Sequence, residues 1–164
     1  RLMRDREGDW TVFHPDNNVS SIFMAANKYL KANIPTIIIA GKEYGAGSSR
    51  DWAAKGPSLL GIRATLVESY ERIHRNNLVG MGILPLQFKE GENADILRIT
   101  GSETFDITGL GGGLCPGQDV PIHVTNENGD ETDFTAVLRL DSEVEVDYYR
   151  NGGVLNTVLR NMLR

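Results

Sequence analysis

Short apolar, β-branched runs punctuate the first half of the chain and predict strands. The run Thr36–Ala40 stands between a proline and a glycine and has the length and composition of a buried strand. Similar runs predict strands at Trp10–Phe13, Arg63–Val67 and Gly82–Phe88. Because proline has no amide hydrogen to donate, Pro85 indicates that the last of these strands lies at an edge or a bulge of its sheet.

Between these strands, apolar residues recur at helical spacing and capping residues mark where helices begin. The predicted helices run from Ser20 or Ser21 to Ala32, from Ser48 or Ser49 to about Gly56-Pro57, and from Ser69 to Val79. The second helix is predicted to end at its proline, which cannot continue the hydrogen-bond ladder. The strand–helix–strand order from residue 36 to residue 88 predicts a parallel sheet with right-handed crossovers.

The second half of the chain changes to short β-rich runs. These runs are Thr104–Ile107, Val120–Val124 and Phe134–Leu140. The dipeptide Asn128-Gly129 lies between the last two and is a strong hairpin signal. Acidic residues then open a predicted helix that reaches Arg150, and an amphipathic helix follows at Val154–Leu163. The pattern predicts an α/β domain with a parallel sheet core and an added antiparallel β layer.

The glycine-rich loop after Thr36–Ala40 carries the strongest candidate chemistry in the chain. Its end, Gly45-Ala46-Gly47-Ser48-Ser49-Arg50, runs into the predicted helix. Unpaired N–H groups and the helix dipole favour an anion at a helix N-terminus, and arginine binds a carboxylate or phosphate bidentately. The loop matches neither the phosphate-loop nor the dinucleotide pattern. Its spacing leaves open which anion binds, and equally whether these residues only turn the chain and cap the helix.

Length and composition predict one domain, residues 1–164, with 40% hydrophobic residues available for a core. The net charge of −5 and the dispersed basic residues argue against nucleic acid and anionic membranes as partners. No apolar run approaches the roughly 20 residues of a membrane span. The single cysteine, Cys115, fits a reducing compartment, so we expect a cytoplasmic protein; a lone thiol is a poor candidate for an iron–sulfur ligand.

Several other polar or aromatic groups are interpreted as structural. Helical spacing predicts that Arg72, His74 and Arg75 form a solvated face of their helix. Trp52 is predicted to pack in the core, because a large apolar ring in a short helix beside two strands is usually buried. The acidic run before Arg150 is interpreted as a solvated helix start rather than a metal site.

Two long motifs resemble the C-terminal, swivelling domain of the aconitase superfamily. The first is Gly41–Pro57, with the sequence GKEYGAGSSRDWAAKGP, and the second is Glu68–Leu86; a shorter likeness lies at Asn151–Leu155. The resemblance covers nearly the whole chain. It implies a three-layer β/β/α swivelling domain that is a fragment of a larger multidomain enzyme of the bacterial aconitate hydratase type.

The resemblance implies a hydro-lyase that interconverts citrate and isocitrate through cis-aconitate. It implies that Ser48 is the catalytic base and that Ser48, Ser49 and Arg50 bind the substrate, with Arg50 holding a carboxylate. Helix-terminal N–H groups and a nearby arginine could stabilise the ionised serine that such a base requires. Ala46 stands where the family often has a glutamate or serine, which removes one polar contact.

The resemblance also implies a [4Fe–4S] cluster whose cysteine ligands lie in other domains, outside this chain. The expected partners are a tricarboxylate substrate (citrate, cis-aconitate or isocitrate) and the remaining domains of the enzyme, and the fragment alone is expected to be inactive. Two alternatives stay open: a related dehydratase acting on 2-methylcitrate or 2-methylisocitrate, and an RNA-binding relative of the iron-regulatory kind. The acidic charge balance argues against the second.

Overall fold

Eight strands and five α-helices make up the part of the chain that the computed structural model describes, residues 7–47 and 50–163. The strands are β1 (Trp10–Phe13), β2 (Asn18–Ser21), β3 (Thr36–Ala40), β4 (Ile62–Val67), β5 (Leu84–Gln87), β6 (Thr104–Ile107), β7 (Asp119–Thr125) and β8 (Glu131–Leu138). The helices are α1 (Ile22–Lys31), α2 (Arg50–Leu59), α3 (Arg72–Gly80), α4 (Glu143–Arg150) and α5 (Val154–Met162). Within these two stretches, no helix combines the length and the apolar character needed to cross a bilayer.

Six of the strands form one mixed sheet in the order β3-β4-β5-β8-β7-β6, and β1 and β2 pair in a small antiparallel sheet of their own. The pairs β3–β4 and β4–β5 are parallel, whereas β5–β8, β8–β7 and β7–β6 are antiparallel. The predicted α/β class with parallel and antiparallel strands is confirmed. The antiparallel strands, predicted as an added layer, extend the same sheet as the parallel ones. The antiparallel strands join the parallel ones through β5 and β8, so the hydrogen-bonded sheet is continuous.

Most predicted elements lie within a few residues of the observed ones. The strands β1, β3 and β6 have the predicted bounds, and Ser21 is the N-cap of α1, its hydroxyl accepting a hydrogen bond from the amide of Met24 at 3.3 Å. The predicted hairpin turn joins β7 to β8, and Gly129 takes the left-handed conformation there with φ of 85°. The strand β2 is not predicted, because its sequence Asn-Val-Ser-Ser has only one apolar residue.

The main core lies where the sheet meets α3 and α4. Alternation in β7 places Val120, Ile122 and Val124 on one buried face, where they pack with Leu66 and Leu86 of the parallel strands. Other members of this cluster are Val79 of α3, Val146 of α4, and Phe134, Ala136 and Leu138 of β8. Removing this apolar surface from water is the main favourable term for folding.

β5 is a central strand, so the predicted edge or bulge position of Pro85 is wrong. β4 flanks β5 on one side and β8 flanks it on the other. The carbonyl oxygen of Pro85 accepts a hydrogen bond from the amide of Arg139 at 2.9 Å. Ladder pairing between β5 and β8 begins at Leu86 with Leu138. Proline is tolerated at position 85 because it lies one residue outside the paired part of β5 and β8.

The predicted end of α2 near Gly56-Pro57 is also wrong, because the helix continues to Leu59 with Pro57 inside it. A proline at this position removes one intrahelical hydrogen bond. The following turn is still closed, since the amide of Leu60 donates to the carbonyl oxygens of Gly56 and Pro57 at 3.0 and 3.1 Å. The predicted N-cap residues, Ser48 and Ser49, lie outside the described residues.

Trp52 is not a core residue as predicted, because its exposed fraction is 64%. The helix buries Ala54 instead, which lies on another face of α2 and is fully buried. The Nζ atom of Lys55 lies 5.0 Å from the centroid of the Trp52 ring. The exposed ring therefore gains a cation–π contact rather than core packing.

The predicted solvated basic face of α3 is wrong for two of its three residues, since His74 and Arg75 are only 1% and 5% exposed. With Leu78 and Val79 they form the buried face of the helix. The helix begins after Glu71, whose carboxylate accepts hydrogen bonds from the first-turn amides. Burial of a charged arginine requires compensation from another part of the chain.

Acidic groups near the start of α4 provide that compensation. The Nη1 and Nη2 atoms of Arg75 donate to the two carboxylate oxygens of Glu145 at 2.7 and 2.9 Å. Nη1 also donates to the carbonyl oxygen of Arg139 at 2.7 Å, and Nε lies 3.4 Å from a carboxylate oxygen of Asp141. The hydrogen bond from Arg75 holds the pKa of Glu145 below its usual value, although partial burial opposes this shift. This bidentate pair ties α3 to α4.

We expect Glu145→Gln to lower the free energy of unfolding at pH 7 by about 3 kcal/mol, because it leaves Arg75 buried without its main counter-charge. A carboxyl group with a lowered folded-state pKa adds stability above its usual pKa of 4.5 and loses it as pH falls through the lower folded value. The difference between variant and wild type should therefore shrink below pH 4.5. Urea unfolding at pH 7 and at about pH 3 measures both effects.

Glu143→Gln is the matched control, because Glu143 is an exposed carboxylate on the same helix. It should change the free energy of unfolding by less than about 0.5 kcal/mol at either pH. Equal losses from the two variants, or a loss in Glu145→Gln that does not depend on pH, would contradict this account of the buried pair.

Candidate active site

The structure describes the loop that leads to the predicted site residues and the helix that follows them. Ser48 and Ser49 lie outside the described residues, and Arg50 is the first residue of α2. The described part of the loop is Gly41–Gly47. The structure therefore shows where this part of the loop lies and which contacts hold it.

The loop lies at the edge of the sheet where the three parallel strands end. β3, β4 and β5 run in the same direction, so the segments after each of them meet at their carboxyl ends. A cleft of about 510 Å³ opens there, lined by Lys42 after β3, Glu68 and Ser69 after β4, and Lys89 and Asn93 after β5. This edge is where ligands of parallel α/β sheets usually bind.

Backbone hydrogen bonds fix the loop to the segment between β4 and α3. The amide of Tyr44 donates to the carbonyl oxygen of Ser69 at 2.9 Å, and the amide of Glu71 donates to the carbonyl oxygen of Tyr44 at 3.0 Å. The hydroxyl of Ser69 accepts from the amide of Glu43 at 2.8 Å. The loop is therefore held by the chain that follows the neighbouring strand, rather than by contacts of its own alone.

Gly45 occupies a position that no other residue could fill without a shift. Its φ of 91° lies in the left-handed region that L side chains rarely adopt. A Cβ atom placed on Gly45 would lie 2.1 Å from Cγ of His74, far closer than two non-bonded carbon atoms can approach. Both the backbone conformation and the neighbouring ring therefore require a glycine here.

An aromatic cluster of Tyr44, Tyr70 and His74 holds the loop against α3 and the segment before it. The ring of Tyr44 meets the ring of His74 edge-on with 4.8 Å between centroids, and lies 6.2 Å from the ring of Tyr70. The hydroxyl of Tyr70 donates to the carbonyl oxygen of Leu86 at 2.9 Å and lies 2.6 Å from Oγ1 of Thr65. Burial raises the pKa of both Tyr70 and Tyr44, so these hydroxyl groups stay neutral at ordinary pH.

The cluster is a feature that sequence reasoning misses. Helical spacing predicts that His74 lies on a solvated face of its helix, whereas His74 belongs to the buried face of α3. A sequence signal for the correct face does exist, since His74 and Leu78 are separated by one helical turn. The contact between His74 and Gly45 gives no local signal, because the two residues are distant in the chain and meet only in the fold.

The residues of this chain do not fit a resident [4Fe–4S] cluster. Such clusters are held by several cysteine thiolates, and the chain has one cysteine. That residue, Cys115, is exposed and follows β6. In the part of the chain that the structure describes, no three His, Cys, Asp or Glu side chains form a group that could hold a metal ion.

Comparison with known proteins identifies close relatives. The chain is 55% identical over 163 residues to aconitate hydratase A of Deinococcus radiodurans. The aligned region covers 99% of this chain and 18% of that protein. It is 55% identical over 158 residues to aconitate hydratase A of Thermus thermophilus, covering 96% of this chain and 17% of that protein. Aconitate hydratase A of Bacillus subtilis is 52% identical over 158 residues, again with 96% and 17% coverage. The chain thus spans less than a fifth of the length of these relatives.

A solved structure and a family match complete the comparison. The fold resembles that of 3-isopropylmalate dehydratase from Methanocaldococcus jannaschii, with a TM-score of 0.50, 19% identity and coverage of 88% of this chain and 80% of that one. At this identity, the likeness concerns the fold alone. Residues 2–91, more than half of the chain, match the family described as the aconitase C-terminal domain. The chain therefore belongs to the aconitase C-terminal domain family.

Proposed function

We propose that this chain is the C-terminal domain of an aconitate hydratase and supplies a base and a carboxylate clamp for the interconversion of citrate and isocitrate through cis-aconitate. One observation carries the proposal: the loop Gly41–Gly47 is fastened at the carboxyl edge of three parallel strands, and α2 begins at Arg50, three positions after the loop in the sequence. An anion at that point meets helix N–H groups and a positive dipole end.

In the proposed reaction, Ser48 removes a proton from the carbon next to a substrate carboxylate. The electron pair forms the double bond of cis-aconitate as hydroxide leaves the neighbouring carbon, and water returns in the opposite sense to give the isomer. A serine base must be ionised far below its usual pKa. The N–H groups at the start of α2 and the Arg50 guanidinium are the groups of this chain that would stabilise its alkoxide.

Ser49 and Arg50 are proposed to hold the substrate while Ser48 acts. A guanidinium donates two parallel hydrogen bonds to one carboxylate, so Arg50 would fix the orientation of the substrate as well as its position. Orientation matters because proton transfer requires the reacting atoms to lie within hydrogen-bond reach.

Other parts of the reaction are assigned to the rest of the protein. We propose that a [4Fe–4S] cluster belongs to the remaining domains, because the single cysteine of this chain cannot hold one. The names of the relatives favour aconitate over a methylated homologue as the substrate class. We further propose that residues 1–164 form one domain of a cytoplasmic multidomain enzyme, in keeping with the free Cys115 thiol.

Substitutions in the full-length protein separate the base from the clamp. Ser48→Ala should lower kcat by about 10²- to 10⁴-fold with little change in KM, because it removes proton transfer but not carboxylate binding. Arg50→Lys should raise KM by about 10-fold or more as well as lowering kcat, because a lysine cannot bind a carboxylate bidentately. Steady-state kinetics with cis-aconitate measure both.

Lys55→Arg is the control for these two variants, since Lys55 lies on the exposed side of α2 and contacts Trp52. Its kinetics should match those of the wild type. Equal, mild effects of Ser48→Ala and Arg50→Lys would instead mean that these residues only cap α2, and the proposed function would fail.

The 164-residue chain by itself should not turn over cis-aconitate, because the proposed active site needs groups from the remaining domains. Absorbance of the cis-aconitate double bond follows its hydration directly. Turnover by the purified chain, abolished by Ser48→Ala, would contradict the division of the active site between domains.

A further inference from the structure

We infer that His74 is a positioning residue: its ring fixes the backbone at Gly45 and so positions, for the reaction, the loop Gly41–Gly47 that precedes the proposed base in the sequence. This inference rests on the proposed function of the Ser48–Arg50 segment. It concerns a residue that lies on α3, in a different element from the loop and from the helix that carries Arg50.

The contact between the ring and the loop is direct. Three atoms of His74, namely Cγ, Cδ2 and Cβ, lie 2.1, 2.2 and 2.3 Å from the point where a Cβ atom of Gly45 would stand. The near half of the side chain therefore fills the space that a side chain at position 45 would otherwise take. Tyr44 packs edge-on against the same ring, so the loop touches His74 with two successive residues.

The ring is itself held on a rigid support. The amide of His74 donates to the carboxylate of Glu71 at 3.0 Å, and the amide of Glu71 donates to the carbonyl oxygen of Tyr44 at 3.0 Å. The next residue, Arg75, is bound to Glu145 and so anchors α3 to α4. Because the contacts of Glu71 and Arg75 hold α3 on both sides of His74, the ring has a fixed position and limits how far the loop can move toward the helix.

Small movements of the loop should be costly for the reaction. The proposed base, Ser48, stands three positions after Gly45 in the sequence, so a shift of the backbone at Gly45 changes the places that the base can reach. A misplacement of about 1 Å can cost about 100-fold in rate even when no reacting group is removed. Removing the ring should therefore lower kcat although His74 itself is not proposed to touch the substrate.

The first test is His74→Ala in the full-length protein. We expect kcat with cis-aconitate to fall about 10- to 100-fold. Hydrogen exchange at the amides of Tyr44 and Ala46, which are hydrogen-bonded in the loop, should become faster because the loop loses its support. The exchange measurement reports on the loop whether or not the enzyme is active.

Val79→Ala is the matched control. Val79 is 1% exposed, lies on the same helix and packs into the sheet core rather than against the loop. It should lower the melting temperature at least as much as His74→Ala, but leave kcat and exchange of the loop amides as in the wild type. If the two variants lose kcat equally, His74 has only a structural role and the inference is overturned.

His74→Asn tests which part of the side chain acts. Asparagine keeps Cβ, Cγ and two atoms bonded to Cγ, which correspond to the part of the ring that faces Gly45. We expect this variant to recover most of the kcat that His74→Ala loses. Failure of asparagine to do better than alanine would overturn the account of steric positioning through Gly45.

A double substitution tests the contact itself. Gly45→Ala should lower kcat at least as much as His74→Ala, because the new Cβ meets the ring and the backbone conformation is strained. Since both changes break one contact, Gly45→Ala with His74→Ala should be no worse than Gly45→Ala alone. A loss equal to the product of the two single losses would mean that the residues act independently, against the inference.

These outcomes are distinct from a failure of the proposed function. If Ser48→Ala retains full turnover, the proposed role of the loop fails, whatever His74 does. If Ser48→Ala abolishes turnover while His74→Ala keeps wild-type kcat and loop exchange, only the positioning inference fails.

Discussion

The candidate site depends on one close approach, that of the His74 ring to a backbone position without a side chain. At Gly45 the chain takes a φ of 91°, and the ring lies where a Cβ atom would be. In this arrangement, Tyr44 and Gly45 of the loop both contact His74 of α3. With a bulkier residue in place of Gly45, either the ring or the loop would have to move.

The same helix links the loop to the core. In α3, His74 contacts the loop, and the next residue, Arg75, forms a buried bidentate pair with Glu145. Val79 of the same helix packs in the sheet core. A buried pair of this kind contributes less to net stability than its charges suggest, because burial costs hydration. Its structural consequence is specific: the rotation of α3 that pairs Arg75 with Glu145 also brings His74 against Gly45. Stability of the helix pair and geometry of the site are therefore coupled.

Local patterns predict much of this fold, and contacts between distant residues account for the errors. The runs that form β3, β4 and β5 predict parallel strands, although β3 lies at the edge of the sheet and is half-buried instead of buried. The glycines, the serines and Arg50 at the start of α2 fit an anion site, and their spacing fits helix capping equally well. Nothing near Arg75 reveals that Glu145 will neutralise it, so the sequence predicts a solvated face where the helix is buried. Pro85 misleads for a similar reason, because its tolerance depends on where pairing with β8 ends. The roles of Ser48 and Ser49 come from family resemblance and remain predictions, since both residues lie outside the described part of the chain.

The central claim, that the loop before α2 binds a tricarboxylate, can be tested most directly by hydrogen exchange of the full-length protein with and without tricarballylate, which has three carboxylates but no hydroxyl group to eliminate. The account predicts slower exchange in the peptide covering residues 41–50 when the ligand is saturating, with little change in the β6–β7–β8 part of the sheet. Saturable binding that leaves exchange in residues 41–50 unchanged would contradict it.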